Sequence, residues 1–93
     1  MTELELYIKS LEIMGYTQTT KSDIPPIDDD KYLYFKSPYI NSYISLKYKD
    51  SMLIGIYDQF KSGDGFAYVP YSKSIFYEYN KNIFRQIKLD EIG

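Results

Sequence analysis

Residues 42–57, S-Y-I-S-L-K-Y-K-D-S-M-L-I-G-I-Y, constrain the fold more than any other stretch of the chain. Apolar and polar residues alternate along 43–48, a polar break follows, and an apolar run resumes at 52–56. A period of two is typical of a strand with one buried face, and two such runs around a short polar break are typical of a β-hairpin. The sequence therefore predicts a hairpin that the rest of the chain covers or extends.

The hydrophobic pattern also predicts the register of this hairpin. With a three-residue loop at 49–51, six apolar side chains share one face: Ile44, Leu46, Tyr48, Met52, Ile54 and Ile56. The other face then pairs Tyr43 with Tyr57 and Lys47 with Leu53. A two-residue loop would mix Lys and Ser with Met and Ile on one face, so we reject it.

The first residues predict a helix over 2–15. Thr2 and Glu5 have the spacing of a capping box, and Gly15 supplies a C-terminal stop. Apolar residues recur at helical spacing, at Leu4, Tyr7, Ile8, Leu11 and Met14. We expect this stripe to pack on one side of the sheet.

Shorter signals between these elements predict the other strands. Residues 17–20 read as an edge strand or a loop, and 22–31, with its Pro-Pro pair, as a surface connection. Residues 32–36 and 66–71 read as strands, and 58–65, rich in Gly, Asp and Ser, as a loop.

Two interpretations fit the C-terminal segment 74–92. As strands, its apolar residues alternate on either side of an N-K-N turn at 80–82. As a helix that Ser72 or Ser74 could cap, its apolar residues recur every four positions, at Ile75, Tyr79, Ile83 and Ile87. We favour the hairpin because Ile, Tyr and Phe prefer strands and Asn prefers turns.

Together these elements predict a single α+β domain over 1–93. An N-terminal helix packs on one face of an antiparallel sheet of about five to six strands, arranged as a meander of hairpins. At 93 residues and 44% hydrophobic composition, the chain has room for one two-layer core.

Composition argues against several classes of function. The chain has no Cys and no His, which removes the most reactive nucleophile, the commonest general base and the commonest metal ligand. No catalytic motif occurs, so we expect no enzyme activity, no cofactor and no metal site. A net charge of −2 argues against general nucleic-acid binding.

Cellular context is predicted from the same composition. The first residues are acidic where a secretion signal would be basic, and no apolar run approaches about 18 residues, so we expect a cytoplasmic protein with no membrane contact. Abundant Ile, Lys and Tyr suit A/T-rich codons. A low-G+C bacterium, its phages or its mobile elements would supply such a sequence.

Tyrosine is unusually abundant in this chain, with 12 Tyr among 93 residues and no Trp. Most single tyrosines in such a sheet fill the core or pair across strands. Alternation nevertheless places four of them opposite the apolar stripe: Tyr32, Tyr34, Tyr43 and Tyr57. Because Tyr is enriched in protein interfaces, we expect this face, with Lys47, to contact a partner.

The cluster Asp28, Asp29 and Asp30 is the second candidate contact site. It lacks the spacing, the central Gly and the closing Glu of a calcium loop. A solvated loop is the simpler interpretation. The functional interpretation is an electrostatic contact with a basic partner surface.

These observations favour a protein-binding module, of the inhibitor or immunity type, that blocks another protein as a monomer or a homodimer. The alternative is a single-stranded nucleic-acid or nucleotide-binding module that uses the tyrosine-rich sheet face. A minor hydrolase or transferase that relies on carboxylates comes third.

Overall fold

The computed structural model describes residues 2–19, 31–39, 42–63 and 65–92. The described residues form three helices and five strands. In chain order they are α1 (Glu3–Ile13), β1 (Thr17–Thr19), β2 (Tyr32–Lys36), β3 (Ser42–Lys49), β4 (Met52–Ser62), β5 (Gly65–Tyr71), α2 (Lys73–Tyr79) and α3 (Lys81–Ile92). The strands form one antiparallel sheet in the order β1-β2-β3-β4-β5. The predicted α+β class is confirmed.

Helix α1 begins and ends as its sequence predicts. The Glu5 N–H donates to the Thr2 hydroxyl at 3.2 Å, and the Thr2 N–H donates to the Glu5 carboxylate at 3.4 Å, which completes the capping box. At the other end Gly15 has φ +93°. The N–H groups of Gly15 and Tyr16 donate to carbonyls of the last turn, as in a Schellman motif.

The turn of the β3–β4 hairpin has two residues, so the predicted three-residue loop is wrong. Lys49 pairs with Met52, and the loop residues Asp50 and Ser51 have φ of +52° and +65°. Positive φ at both central positions is what a type I′ turn requires, and this turn matches the twist of the flanking strands.

A two-residue turn alone would place polar and apolar side chains on the same face of the hairpin. A β-bulge shifts the register and restores an apolar inner face. Lys47 pairs with Gly55 but Tyr48 pairs with Leu53, so Ile54 is the extra residue. Leu53 therefore points to the core and is 3% exposed, whereas Met52 and Ile54 are 69% and 49% exposed. The predicted inward placement of Met52 and Ile54 is wrong.

The remaining inward residues of the hairpin match the prediction, although their partners differ. Ile44, Leu46 and Ile56 are buried, and Tyr48 packs against the core at partial burial. Leu46 faces Ile56 and Ile44 faces Asp58.

On the outer face Tyr43 pairs with Gln59 and Tyr57 with Ser45, so the predicted pairing of Tyr43 with Tyr57 is also wrong.

Strand β4 continues through much of the segment predicted as a loop. Asp58 pairs with Val69 and Phe60 with Ala67, and the chain reverses only after Ser62. Pairing on both sides, with β3 and with β5, outweighs the turn-forming composition of this segment. The prediction of a loop over 58–65 is therefore wrong for its first five residues, which belong to β4, and for Gly65, where β5 begins.

The C-terminal segment is helical, so the favoured hairpin is wrong. Ser72 caps α2 by accepting a hydrogen bond from the Ile75 N–H. At Asn80 the side-chain nitrogen donates to the Phe76 carbonyl at 2.9 Å, and α3 follows directly. The buried side chains are Phe76, Phe84 and Ile87, while Ile75 and Tyr79 of the predicted helical stripe are exposed.

The helices lie on one side of the sheet, over what we call the inner face; α1 contacts the strands, and α3 packs against α1 and α2. Their aromatic rings form the centre of the core: Tyr7 lies 5.5 Å from Phe76 and 5.0 Å from Phe84, between ring centroids. The Lys73 ammonium lies 3.1 Å from a Glu3 carboxylate oxygen, joining the starts of α2 and α1. Within the described ranges, no helix is long and apolar enough to span a membrane.

Candidate functional site

A cavity of about 350 Å³ opens on the inner face, where the helices leave one end of the sheet uncovered. The C-terminal ends of α1 and α2 face the strands across it. The following residues line it: Met14, Tyr16, Ser42, Ile44, Asp58, Tyr71, Phe76, Tyr79 and Asn80. We call this the Asp58 cavity.

The fold leaves this cavity because the helices cover the sheet unevenly. Leu46 and Ile56, at the middle of the hairpin, are fully buried beneath them. Val69 points to the same face as Asp58, its pairing partner, yet is about half exposed. The sheet therefore extends past the helices at the Asp58 end.

Asp58 is the charged residue among the described residues that line the cavity. It occupies an inward position of β4, two residues after the buried Ile56. No described lysine or arginine forms an ion pair with it. Burial raises the pKa of Asp58 above its ordinary value, because a half-buried carboxylate loses part of its hydration.

Two tyrosines beside Asp58 are affected by the same environment. Burial raises the pKa of Tyr16, the charge of Asp58 raises it further, and a hydrogen bond with Ser37 acts in the opposite direction. Burial also raises the pKa of Tyr71, with smaller effects from Tyr79 and Asp58. Both phenols therefore stay protonated at neutral pH and keep a hydroxyl that can donate a hydrogen bond.

Exposed apolar side chains lie near the cavity: Tyr79 lines it, Val69 pairs with Asp58, and Ile75 lines a neighbouring hollow. Tyr79, which lines the cavity, is 78% exposed and also lines a second hollow of about 290 Å³ together with Ile75. Ile75 and Val69 are each about half exposed. We call Val69, Ile75 and Tyr79 the rim of the Asp58 cavity.

The predicted tyrosine face lies on the opposite, outer side of the sheet. The ring of Tyr32 lies 6.2 Å from that of Tyr34 and 6.1 Å from that of Tyr57, between centroids. The Lys47 ammonium lies 5.9 Å from the Tyr32 ring centroid. These four side chains are half-buried, so the sheet brings together three of the four tyrosines that the alternation pattern predicts.

The middle of the outer face is closed to solvent. Tyr43 is only 6% exposed, and its neighbours Ser45 and Gln59 are fully buried. The Ser45 hydroxyl donates to the Gln59 side-chain oxygen, while the Gln59 side-chain nitrogen has no hydrogen-bond partner among the described residues. A molecule that binds this face would therefore touch the edges of Tyr32, Tyr34 and Tyr57 rather than Tyr43.

The acidic cluster Asp28, Asp29 and Asp30 lies outside the described residues. Its role as a contact for a basic surface stays a prediction, as does the role of the outer tyrosines. Among the described residues, no three acidic side chains lie close enough to hold a metal ion.

Sequence reasoning missed the Asp58 cavity because it placed Asp58 in a loop. One signal was present: Ile56, Asp58 and Phe60 follow a period of two, which puts a carboxylate at an inward strand position. Nothing in the sequence connects Asp58 with Tyr16 and Tyr79, because these residues meet only when the sheet and helices assemble.

Comparisons with protein-family models, with curated proteins and with solved structures find no match for this chain. Its function is therefore inferred from its own residues.

Proposed function

We propose that this chain is a small protein-binding module that acts as an inhibitor or immunity-type protein by blocking a partner protein. The observation that carries the proposal is the Asp58 carboxylate, which has no ion-pair partner among the described residues and lies in a cavity lined by aromatic side chains, with exposed apolar side chains nearby. The sequence-based expectations of a cytoplasmic location and of an origin in phage or mobile elements belong to this proposal.

The rim supports binding to a protein. Tyrosine side chains carry much of the binding energy at many interfaces because they are large, rigid and amphipathic. Tyr79 is far more exposed than a large aromatic side chain with a structural role needs to be. Val69, the strand partner of Asp58, and Ile75, which lines the neighbouring hollow with Tyr79, add exposed apolar area. A partner that covers the rim would bury this surface.

The side chains that line the cavity favour a binding function over a catalytic one. Acid–base hydrolysis without His, as in glycosidases, needs two carboxylates on opposite sides of the scissile bond. Asp58 is one carboxylate, and its lining neighbours are apolar, hydroxyl or amide side chains. The second acid that a hydrolase or transferase of this kind would use is missing among the described residues that line the cavity.

A second candidate function is binding of single-stranded nucleic acid or a nucleotide on the outer face. The grouping of Tyr32, Tyr34 and Tyr57 beside Lys47 favours it, since bases stack on aromatic rings and lysine attracts phosphate. Oligonucleotide binding that weakens with added salt would support this function instead.

A pull-down with matched variants tests the protein-binding proposal. The tagged chain is incubated with lysate of the source organism as wild type, as Tyr79→Ser and as Met52→Ser. Met52 is comparably exposed, at 69%, but lies beside the hairpin turn at the other end of the sheet. We expect wild type and Met52→Ser to capture one partner in a stoichiometric complex.

Loss of a central tyrosine costs about 2 kcal/mol or more of binding free energy, so Tyr79→Ser should bind about 30-fold more weakly. Equal capture by all three chains, or capture of nothing in stoichiometric amount, would count against the proposal.

A further inference from the structure

We propose that the Asp58 cavity binds the guanidinium group of an arginine side chain on the partner protein. The inference rests on the proposed protein-binding function for the existence of a partner. The cavity itself can be tested without one.

The charge of the cavity selects a cation. Asp58 is the charged residue among the described lining residues, and no described lysine or arginine neutralises it. A carboxylate held partly away from water gains more from a cation than one on an open surface does. A basic side chain from a partner would complete an ion pair for which no described residue supplies the cation.

The walls of the cavity favour guanidinium over ammonium. The lining includes Tyr16, Tyr71, Phe76 and Tyr79, so aromatic rings surround the space beside Asp58. Guanidinium is planar, stacks on such rings and is weakly hydrated. Its parallel N–H groups also match the two oxygens of a carboxylate. Ammonium is more strongly hydrated and pairs as a point charge.

The size and position of the cavity suit one side chain that arrives from a larger surface. A volume of about 350 Å³ is at the lower end of ligand pockets, which run from about 300 to 1,000 Å³. Its mouth is bordered by Tyr79, and Tyr79 continues onto the hollow that Ile75 lines. An arginine in the cavity would therefore leave its own main chain lying over the rim.

The net charge of −2 agrees with this choice of ligand. A negatively charged chain attracts a basic partner surface before contact, which raises the association rate. The cavity would then provide the specific contact after encounter.

The test is an NMR titration of the isotope-labelled full chain with N-acetyl-arginine-N-methylamide. One isolated side chain should bind with a dissociation constant of about 1 mM. We expect saturable shifts centred on the amides of Tyr16, Asp58, Tyr71 and Tyr79. The matching citrulline derivative, which keeps the shape but loses the charge, should bind at least about tenfold more weakly.

Two variants locate the interaction. Asp58→Asn keeps the side-chain shape and should weaken arginine binding at least about tenfold. Asp50→Asn removes a carboxylate in the hairpin turn, where Asn tolerates the positive φ, and should leave arginine binding unchanged. Equal binding of the citrulline derivative, shifts confined to other surfaces, or unchanged binding to Asp58→Asn would overturn the proposal. Equal binding of the lysine derivative would overturn the choice of guanidinium.

The titration tests the arginine site and the pull-down tests the protein-binding function, so a failure of one proposal can be told from a failure of the other. Arginine binding without capture of a partner would support the cavity assignment and contradict the proposed function. Partner capture that depends on Tyr79, without arginine binding to the free chain, would support the proposed function and overturn this inference.

Discussion

Asp58 is a residue whose position lowers stability. Its carboxylate is half-buried beside the rings of Tyr16 and Tyr71, and no described basic side chain compensates for the lost hydration. An apolar or amide side chain at this inward position of β4 would avoid that cost. Sites that serve binding often retain such destabilising groups. We therefore interpret the carboxylate as retained for a ligand rather than for the fold.

Replacement of Asp58 by Asn should raise stability at neutral pH. Because burial raises the pKa of Asp58, the folded state binds the proton more tightly than the unfolded state does. Wild-type stability therefore falls as pH rises from the ordinary carboxyl pKa, about 4, through the raised folded value. Protonation at lower pH removes this cost, so the advantage of Asp58→Asn should disappear there.

Urea unfolding of both chains at neutral pH and near pH 3.5 measures this difference. Since the carboxylate is only partly buried, we expect the neutral-pH gain to stay below about 1 kcal/mol. A difference that persists or grows at the lower pH would contradict the assigned cause.

The β3–β4 hairpin is an element whose strands were predictable from sequence and whose register was not. Alternation identifies Ile44, Leu46 and Ile56 as inward residues, and they are buried. The register depends on a turn of two positive-φ residues, Asp50 and Ser51, without the glycine that usually marks it. The compensating bulge at Ile54 lies beside Gly55, and a glycine inside a strand is only a weak signal for a bulge, so its exact position was not predictable.

A glycine at the second turn position should stabilise this hairpin. Ser51 has φ +65°, a conformation that costs a residue with a Cβ about 1 kcal/mol or more and costs glycine little. Ser51→Gly also creates the Asp-Gly pair that type I′ turns prefer. We expect a gain of about 0.5–1 kcal/mol in the free energy of unfolding, measured by urea titration. A lower midpoint for Ser51→Gly would contradict the assigned turn type.

Among the helices, too, one was predictable from its own residues and the others were not. Helix α1 was predictable because its start and stop signals, Thr2, Glu5 and Gly15, act within the segment itself. For α2 and α3, intrinsic strand preference pointed the other way. Packing of Phe76 and Phe84 against Tyr7 decides the helical state, and that contact does not exist until α1 and the sheet are in place.

At the scale of the whole molecule, the chain has a sheet with two unlike faces. The inner face carries all three helices and, where they end, the Asp58 cavity. The outer face carries the tyrosines that the sequence pattern predicts, with Tyr43 buried among them. The outer set follows from alternation along strands. The cavity combines α1, the sheet and α2, so no single segment could have predicted it.

Photo-crosslinking from one residue on each face tests the central claim, that partner binding uses the rim of the Asp58 cavity. A photoreactive benzoylphenylalanine replaces Tyr79 in one chain and Tyr32 in another, and each chain is irradiated with the captured partner. Both substitutions keep a phenyl ring at the position and add a benzoyl group to it. We predict a covalent adduct with the partner from position 79 and none from position 32. An adduct from position 32 alone would contradict the account.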